Sequence, residues 1–194
     1  MKIAIVKYNA GNVESVKNAL RRLDVEPILS DDAEVLKTAD KVIFPGVGEA
    51  STAMKYLQKR NLDAVIKSLK QPVLGICLGM QLMCASSEEN TTECLGIFPY
   101  RVRKFESENL KTPQIGWNEI YKLKSVLFKE ISENSYVYFV HSFYVESGEK
   151  TIAACDYGVK FSAAINYKNF FAVQFHAEKS GAVGAKILEN FLKI

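Results

Sequence analysis

The stretch Gly75-Ile76-Cys77-Leu78-Gly79 ends an apolar run at a cysteine and opens a helical segment. Small residues two positions to either side permit a sharp strand-to-helix turn, the thiol counterpart of the serine nucleophile elbow. The start of the following helix would place unpaired N–H groups beside the sulfur, the setting in which a thiol works as a nucleophile. A buried structural cysteine, with glycines serving close helix–sheet packing, fits the same five residues. A nucleophile needs a base, and the chain has two histidines. His141 lies in Tyr138-Phe139-Val140-His141-Ser142-Phe143, and His176 in Val173-Gln174-Phe175-His176-Ala177-Glu178. Both follow apolar strands, so both are expected at one edge of a sheet. Only His176 has a carboxylate two residues away, Glu178, which on extended chain would share its face and orient the imidazole. His176 is therefore read as the base and His141 as structural. Pro45-Gly46-Val47-Gly48 also follows an apolar strand, and its glycines let backbone approach a ligand and aim an N–H at a developing oxyanion. Taken singly, these four residues read better as an ordinary strand-to-helix loop, since glycine-rich turns are common in α/β proteins. No G-x-G-x-x-G dinucleotide fingerprint is present.

The elements that must carry these residues alternate. Ile3–Val6, Pro27–Leu29, Val42–Phe44 and Pro72–Ile76 are short apolar strands. Between them run amphipathic segments, one with Val13, Val16, Leu20 and Leu23 at helical spacing. Ser30-Asp31-Asp32 supplies a cap for the short second helix, and one helical stretch is expected through Met54, Leu57, Leu62, Val65 and Leu69. Such alternation implies an α/β protein with a mostly parallel central sheet flanked by helices. From about Ile97 the texture changes to strand-like segments, 100–105, 116–121, 136–140, 152–155, 163–166 and 171–174, several able to form antiparallel hairpins, with one turn at Tyr167-Lys168-Asn169. A helix from about Gly181 to Leu192 closes the chain.

Composition narrows the classes. The 194 residues are 48% hydrophobic and 24% charged, as expected for one globular domain over 1–194. Twenty-five basic and 22 acidic side chains leave +3, no footprint for nucleic acid or an anionic membrane surface. Cys77, Cys84, Cys94 and Cys155 include no CxxC pair, so with two histidines a zinc site is not expected. No apolar run approaches the ~18 residues of a membrane span or resembles a signal peptide, and a reducing, cytoplasmic setting is expected.

Taken together, the elbow Gly75–Gln81 and Phe175-His176-Ala177-Glu178 resemble the signatures of the class I (triad) glutamine amidotransferases. Within them the chain resembles the glutaminases of histidine biosynthesis. That likeness rests on Ile5–Asn12, Pro45–Gly48, Gly116-Trp117-Asn118 and Phe139–Phe143. The resemblance implies that family's fold, with additional antiparallel strands in the C-terminal half, and hydrolysis of glutamine to glutamate and ammonia without a cofactor. It casts Cys77, His176 and Glu178 as the triad, with Gly46, Val47 and Leu78 forming the oxyanion hole. Gln81 and Glu89 would bind glutamine, and the backbone around Ser142 would hold its α-amino-acid end. It also implies a heterodimer with a (β/α)8-barrel cyclase that receives the ammonia, and a near-silent glutaminase until that partner switches the oxyanion loop. Two positions depart from the pattern: Ala177 stands where proline is usual, and Gln114 where histidine is common. These departures leave open a paralogue feeding a sugar amidotransferase in surface-polysaccharide synthesis. An independent cysteine hydrolase and a non-catalytic relative are the other readings. Intact Cys77, His176 and Glu178 argue against the last, and Gly116-Trp117-Asn118 with Phe139–Phe143 against the hydrolase.

Overall fold

The computed structural model describes residues 1–8, 11–106 and 110–194. Asn9 and Ala10, part of the expected first turn, lie outside the described residues. The first half alternates strand and helix: β1 (Ile3–Val6), α1 (Val13–Arg21), β2 (Ile28–Ser30), α2 (Ala33–Thr38), β3 (Lys41–Phe44), α3 (Ala50–Lys59), α4 (Leu62–Ser68), β4 (Val73–Ile76) and α5 (Leu78–Met83). The second half is mainly β: β5 (Ser86–Ser87), β6 (Thr92–Glu93), β7 (Arg101–Lys104), β8 (Gln114–Ile120), β9 (Ser135–His141), β10 (Phe143–Val145), β11 (Thr151–Asp156), β12 (Lys160–Tyr167) and β13 (Phe170–Val173). A final helix, α6 (Gly181–Lys193), follows.

Seven strands form the main sheet in the order β11-β12-β13-β4-β3-β1-β2. The five from β13 to β2 are parallel, while β11, β12 and β13 pair antiparallel. Every residue of β1, β3, β4 and β13 is buried, as parallel strands covered on both faces require. Alternate side chains serve opposite layers. Ile3 and Ile5 pack with Val16 and Leu20 of α1 and Phe191 of α6, whereas Ala4 and Val6 pack with Leu36, Leu57 and Ile66 of α2, α3 and α4.

Asp32 caps α2 by accepting from the Glu34 and Val35 N–H groups, as its position suggests. The turn after β12 falls at Lys168, whose φ is +54°. The single helical stretch expected through Leu69 is instead two helices. The chain breaks at Arg60-Asn61, where Asn61 takes φ +56°, a conformation asparagine tolerates, and apolar periodicity resumes in α4 without registering the break. Smaller sheets of β10-β7-β5-β6 and β8-β9 build the region beside the elbow.

Candidate active site

Two neighbouring strands deliver the candidate nucleophile and the candidate base. Val173 at the end of β13 is registered against Ile76 at the end of β4. Cys77 and His176 therefore leave the same edge of the sheet, one immediately and the other three residues past its strand. Cys77 takes φ +53°, ψ −109°, a strained conformation for a residue with a Cβ. The bend is held by a Cys77 N–H donating to the Val173 carbonyl (2.8 Å) and by α5 starting at once. Gly79 lets the elbow lie against β3: a Cβ there would sit 1.8 Å from the Phe44 carbonyl oxygen.

His176 is near enough to Cys77 for the two to interact electrostatically, and its Nδ1 lies 2.7 Å from Glu178 Oε1. The two residues do not share an extended face, as the i, i+2 spacing suggested. His176 is extended, but Glu178 lies in a 3-10 turn, Ala177–Lys179, which swings the carboxylate back onto the ring. Burial disfavours charge on the imidazole, yet the hydrogen bonds and negative charge of Cys77 and Glu178 outweigh it and raise it to about 10. Alanine at 177 does not leave this turn unsupported. The Ser180 hydroxyl donates to the His176 carbonyl (2.7 Å) and accepts from the Tyr138 N–H (3.0 Å), while His176 N–H donates to the Tyr138 carbonyl (2.9 Å). Asn12 adds a donor from the other end of the chain, reaching Glu178 Oε1 from the loop before α1. Glu178 Oε2 is buried without a partner among the described residues.

Beside the sulfur opens a cleft of roughly 290 Å3 whose lining includes Val47, Leu78, Gln81, Glu89 and Ser142. Gly46 stands just outside it, with Tyr8 tight behind: the Tyr8 hydroxyl donates to the Pro45 carbonyl (2.6 Å) and occupies the space a Gly46 Cβ would need. Burial, with Cys77 adding, raises the Tyr8 phenol far above its ordinary range. The Leu78 N–H donates to the Gly46 carbonyl at 3.2 Å. Glu89 accepts from the Ala50 N–H (2.7 Å), and burial raises its carboxyl above the usual range. Among the described residues no cluster of ligands suits a metal ion, and no helix is long and apolar enough to cross a membrane.

His141 forms part of the cleft wall, its ring near that of Phe139. Its Nδ1 donates to the Phe143 carbonyl (2.7 Å), its Nε2 lies 2.9 Å from the end of the Gln114 side-chain amide, and burial lowers it to about 4. A buried, neutral, fully bonded ring agrees with its structural reading. Asn12, Gln174 and Ser180 were not singled out from sequence as site residues. Asn12 and Gln174 meet Glu178 and Cys77 across 166 and 97 residues of sequence, which hides those contacts, whereas Ser180 bonds the His176 carbonyl four residues away and Gln174 and Ser180 flank the F-H-x-E segment.

The family model "Glutamine amidotransferase class-I" matches residues 4–194. A Bacteroides fragilis protein named imidazole glycerol phosphate synthase subunit HisH is 56% identical, with 100% of both chains covered. A Vibrio parahaemolyticus protein of the same name is 44% identical over 100% of this chain and 98% of its own. The crystal structure of a GMP synthase-like protein from Thermoplasma acidophilum superposes with a TM-score of 0.78 at 20% identity, covering 100% of this chain and 93% of that one. At that identity the superposition speaks for the fold.

Proposed function

The chain belongs to the class-I glutamine amidotransferase family, and from that premise we propose that it is the glutaminase subunit of an imidazole glycerol phosphate synthase. It would release ammonia from glutamine for a (β/α)8-barrel cyclase partner. One observation carries the chemistry: Cys77, strained at a strand end and opening on a cleft, interacts electrostatically with His176, which Glu178 orients.

In this reading Cys77 gives its proton to His176, and the sulfur attacks the side-chain carboxamide carbon of glutamine. The C–N bond breaks as His176 hands the proton to the leaving nitrogen, giving ammonia and a γ-glutamyl thioester. Water then attacks the thioester, His176 takes its proton and returns it to sulfur, and glutamate departs. Once the Cys77 sulfur is an anion, its charge and that of Glu178 hold the proton on the imidazole until the leaving group needs it. The oxyanion would be held by the Leu78 N–H and a backbone N–H of Gly46-Val47, once the Gly46 carbonyl releases the former. Gln81, Glu89 and the Ser142 backbone line a cleft near the small end of ligand sites, roughly 300–1,000 Å3, suited to an amino acid.

Such a glutaminase needs a face for its partner. Ile115, Trp117 and Tyr136 expose more than half of their surface on the β8–β9 pair, whose Tyr138 carbonyl receives the His176 N–H. Such an apolar face beside the triad suits a partner that covers the site and takes the ammonia.

Replacement of Cys77 by alanine, assayed in the reconstituted complex, tests the proposal. Glutamine-dependent formation of imidazole glycerol phosphate is expected to vanish while formation from added ammonia persists. Retained glutamine use would overturn the role of Cys77, and no activity with any cyclase partner would overturn the proposed acceptor.

A further inference from the structure

Behind the elbow lies a buried amide chain that the triad does not use. Gln81 Nε2 is 3.0 Å from both the Phe143 carbonyl and Gln174 Oε1, and Gln174 Nε2 lies 3.7 Å from Cys77 Sγ. Chemistry fixes the direction of these contacts. The Phe143 carbonyl can only accept, so the NH2 end of Gln81 faces it and also faces Gln174. Gln174 must then present oxygen to Gln81, which leaves its own N–H groups turned to the sulfur. Gln174 is 0% exposed, so bulk solvent does not compete for that donor.

We infer that Gln174 is a further catalytic residue, its amide N–H stabilising the reacting sulfur of Cys77 while its oxygen anchors Gln81 at the glutamine cleft. The inference rests on the nucleophilic role of Cys77 proposed above. The thiol donates to the Val140 carbonyl, 3.7 Å away. When the proton moves to His176, that carbonyl faces an anion and turns unfavourable, whereas the Gln174 N–H becomes a charge-assisted donor and strengthens. Gln174 thus favours the sulfur more after proton transfer than before it, the differential that lowers a barrier. Among the described residues, the ionisable groups around the sulfur are His176 with Glu178 behind it, Tyr8 beneath the Gly46 loop, and Glu89 and His141 on the cleft wall. None of them replaces this donor from the β13 side.

The test reads the sulfur itself. In the full-length chain, alkylation of Cys77 by iodoacetamide is followed against pH and assigned by mass spectrometry in the parent, Gln174→Glu and Gln174→Met. Glu keeps the shape and the acceptor for Gln81 but turns an oxygen to the sulfur; Met removes both contacts. Alkylation near pH 7 is expected to slow about tenfold in Gln174→Glu, with its pH profile displaced upward, since one pH unit is a factor of ten. Gln174→Met should fall between that variant and the parent. Unchanged Cys77 profiles in folded variants would overturn the inference. Should the variants not fold, the Gln174 side-chain amide resonance of the parent must shift when Cys77 is alkylated, and a fixed resonance would overturn it equally. Because these readouts need no turnover, their failure is distinguishable from failure of the glutaminase reading, which shows as glutamine use surviving Cys77→Ala.

Discussion

The Leu78 N–H and the Gly46 carbonyl oxygen lie 3.2 Å apart, so the donor expected at the oxyanion is already bonded within the protein. Tyr8 holds the adjoining Pro45 carbonyl from beneath and leaves Gly46 no room for a side chain. The loop must turn its peptide before this donor can serve the reaction.

The isolated chain should accordingly be a poor glutaminase. Loss of one oxyanion donor costs on the order of 100- to 1,000-fold in kcat, so glutamate release should rise at least about a hundredfold when the proposed cyclase partner is added with its substrate. Full activity of the isolated chain would contradict this and favour an independent hydrolase.

His141 makes stability depend on acid. Burial holds its ring at about 4 in the folded chain, against 6.5 for a free histidine. Above pH 6.5 both states are neutral and the ring contributes no pH dependence. Between pH 6.5 and 4 the unfolded chain takes up a proton that the folded chain refuses, so stability falls as pH drops, by about 3 kcal/mol over the window. Urea unfolding as a function of pH should show this slope in the parent and a shallower one in His141→Gln. Identical slopes would show that the buried ring does not titrate as assigned.

Gly79 tests whether the elbow needs its close approach to β3. A methyl group there would meet the Phe44 carbonyl at 1.8 Å, a backbone oxygen that cannot step aside. Gly79→Ala should cost at least ~2 kcal/mol in urea unfolding. A loss near zero would mean that α5 and β3 separate easily.

What the chain reveals before folding is the part that depends on local pattern. Runs such as Ile3–Val6 and Val73–Ile76 announce parallel strands because both faces are buried, and the bend at Cys77 is written in the glycines around it. The break at Asn61 is hidden because apolar spacing continues on either side of it. Strands of two or three residues, β5, β6 and β10, are too short to carry a period. The turn that brings Glu178 back to His176 replaces the extended geometry that spacing alone suggests. Asn12 and Gln174 act across 166 and 97 residues of sequence, distances over which only the folded sheet supplies proximity. The bond between Leu78 and Gly46 is likewise a choice of one peptide orientation, which residue types do not encode.

One sulfur of the four is assigned as the nucleophile. Cys84, Cys94 and Cys155 are disfavoured as anions by burial, Cys94 and Cys155 being pushed up to about 12. Treatment of the complex with a glutamine-mimicking chloroketone, followed by peptide mass mapping, tests this most directly. A single adduct on Cys77 is expected, blocked by excess glutamine and matched by loss of glutamine-dependent turnover. An adduct on Cys84, Cys94 or Cys155 that tracks inactivation, with Cys77 unmodified, would contradict it.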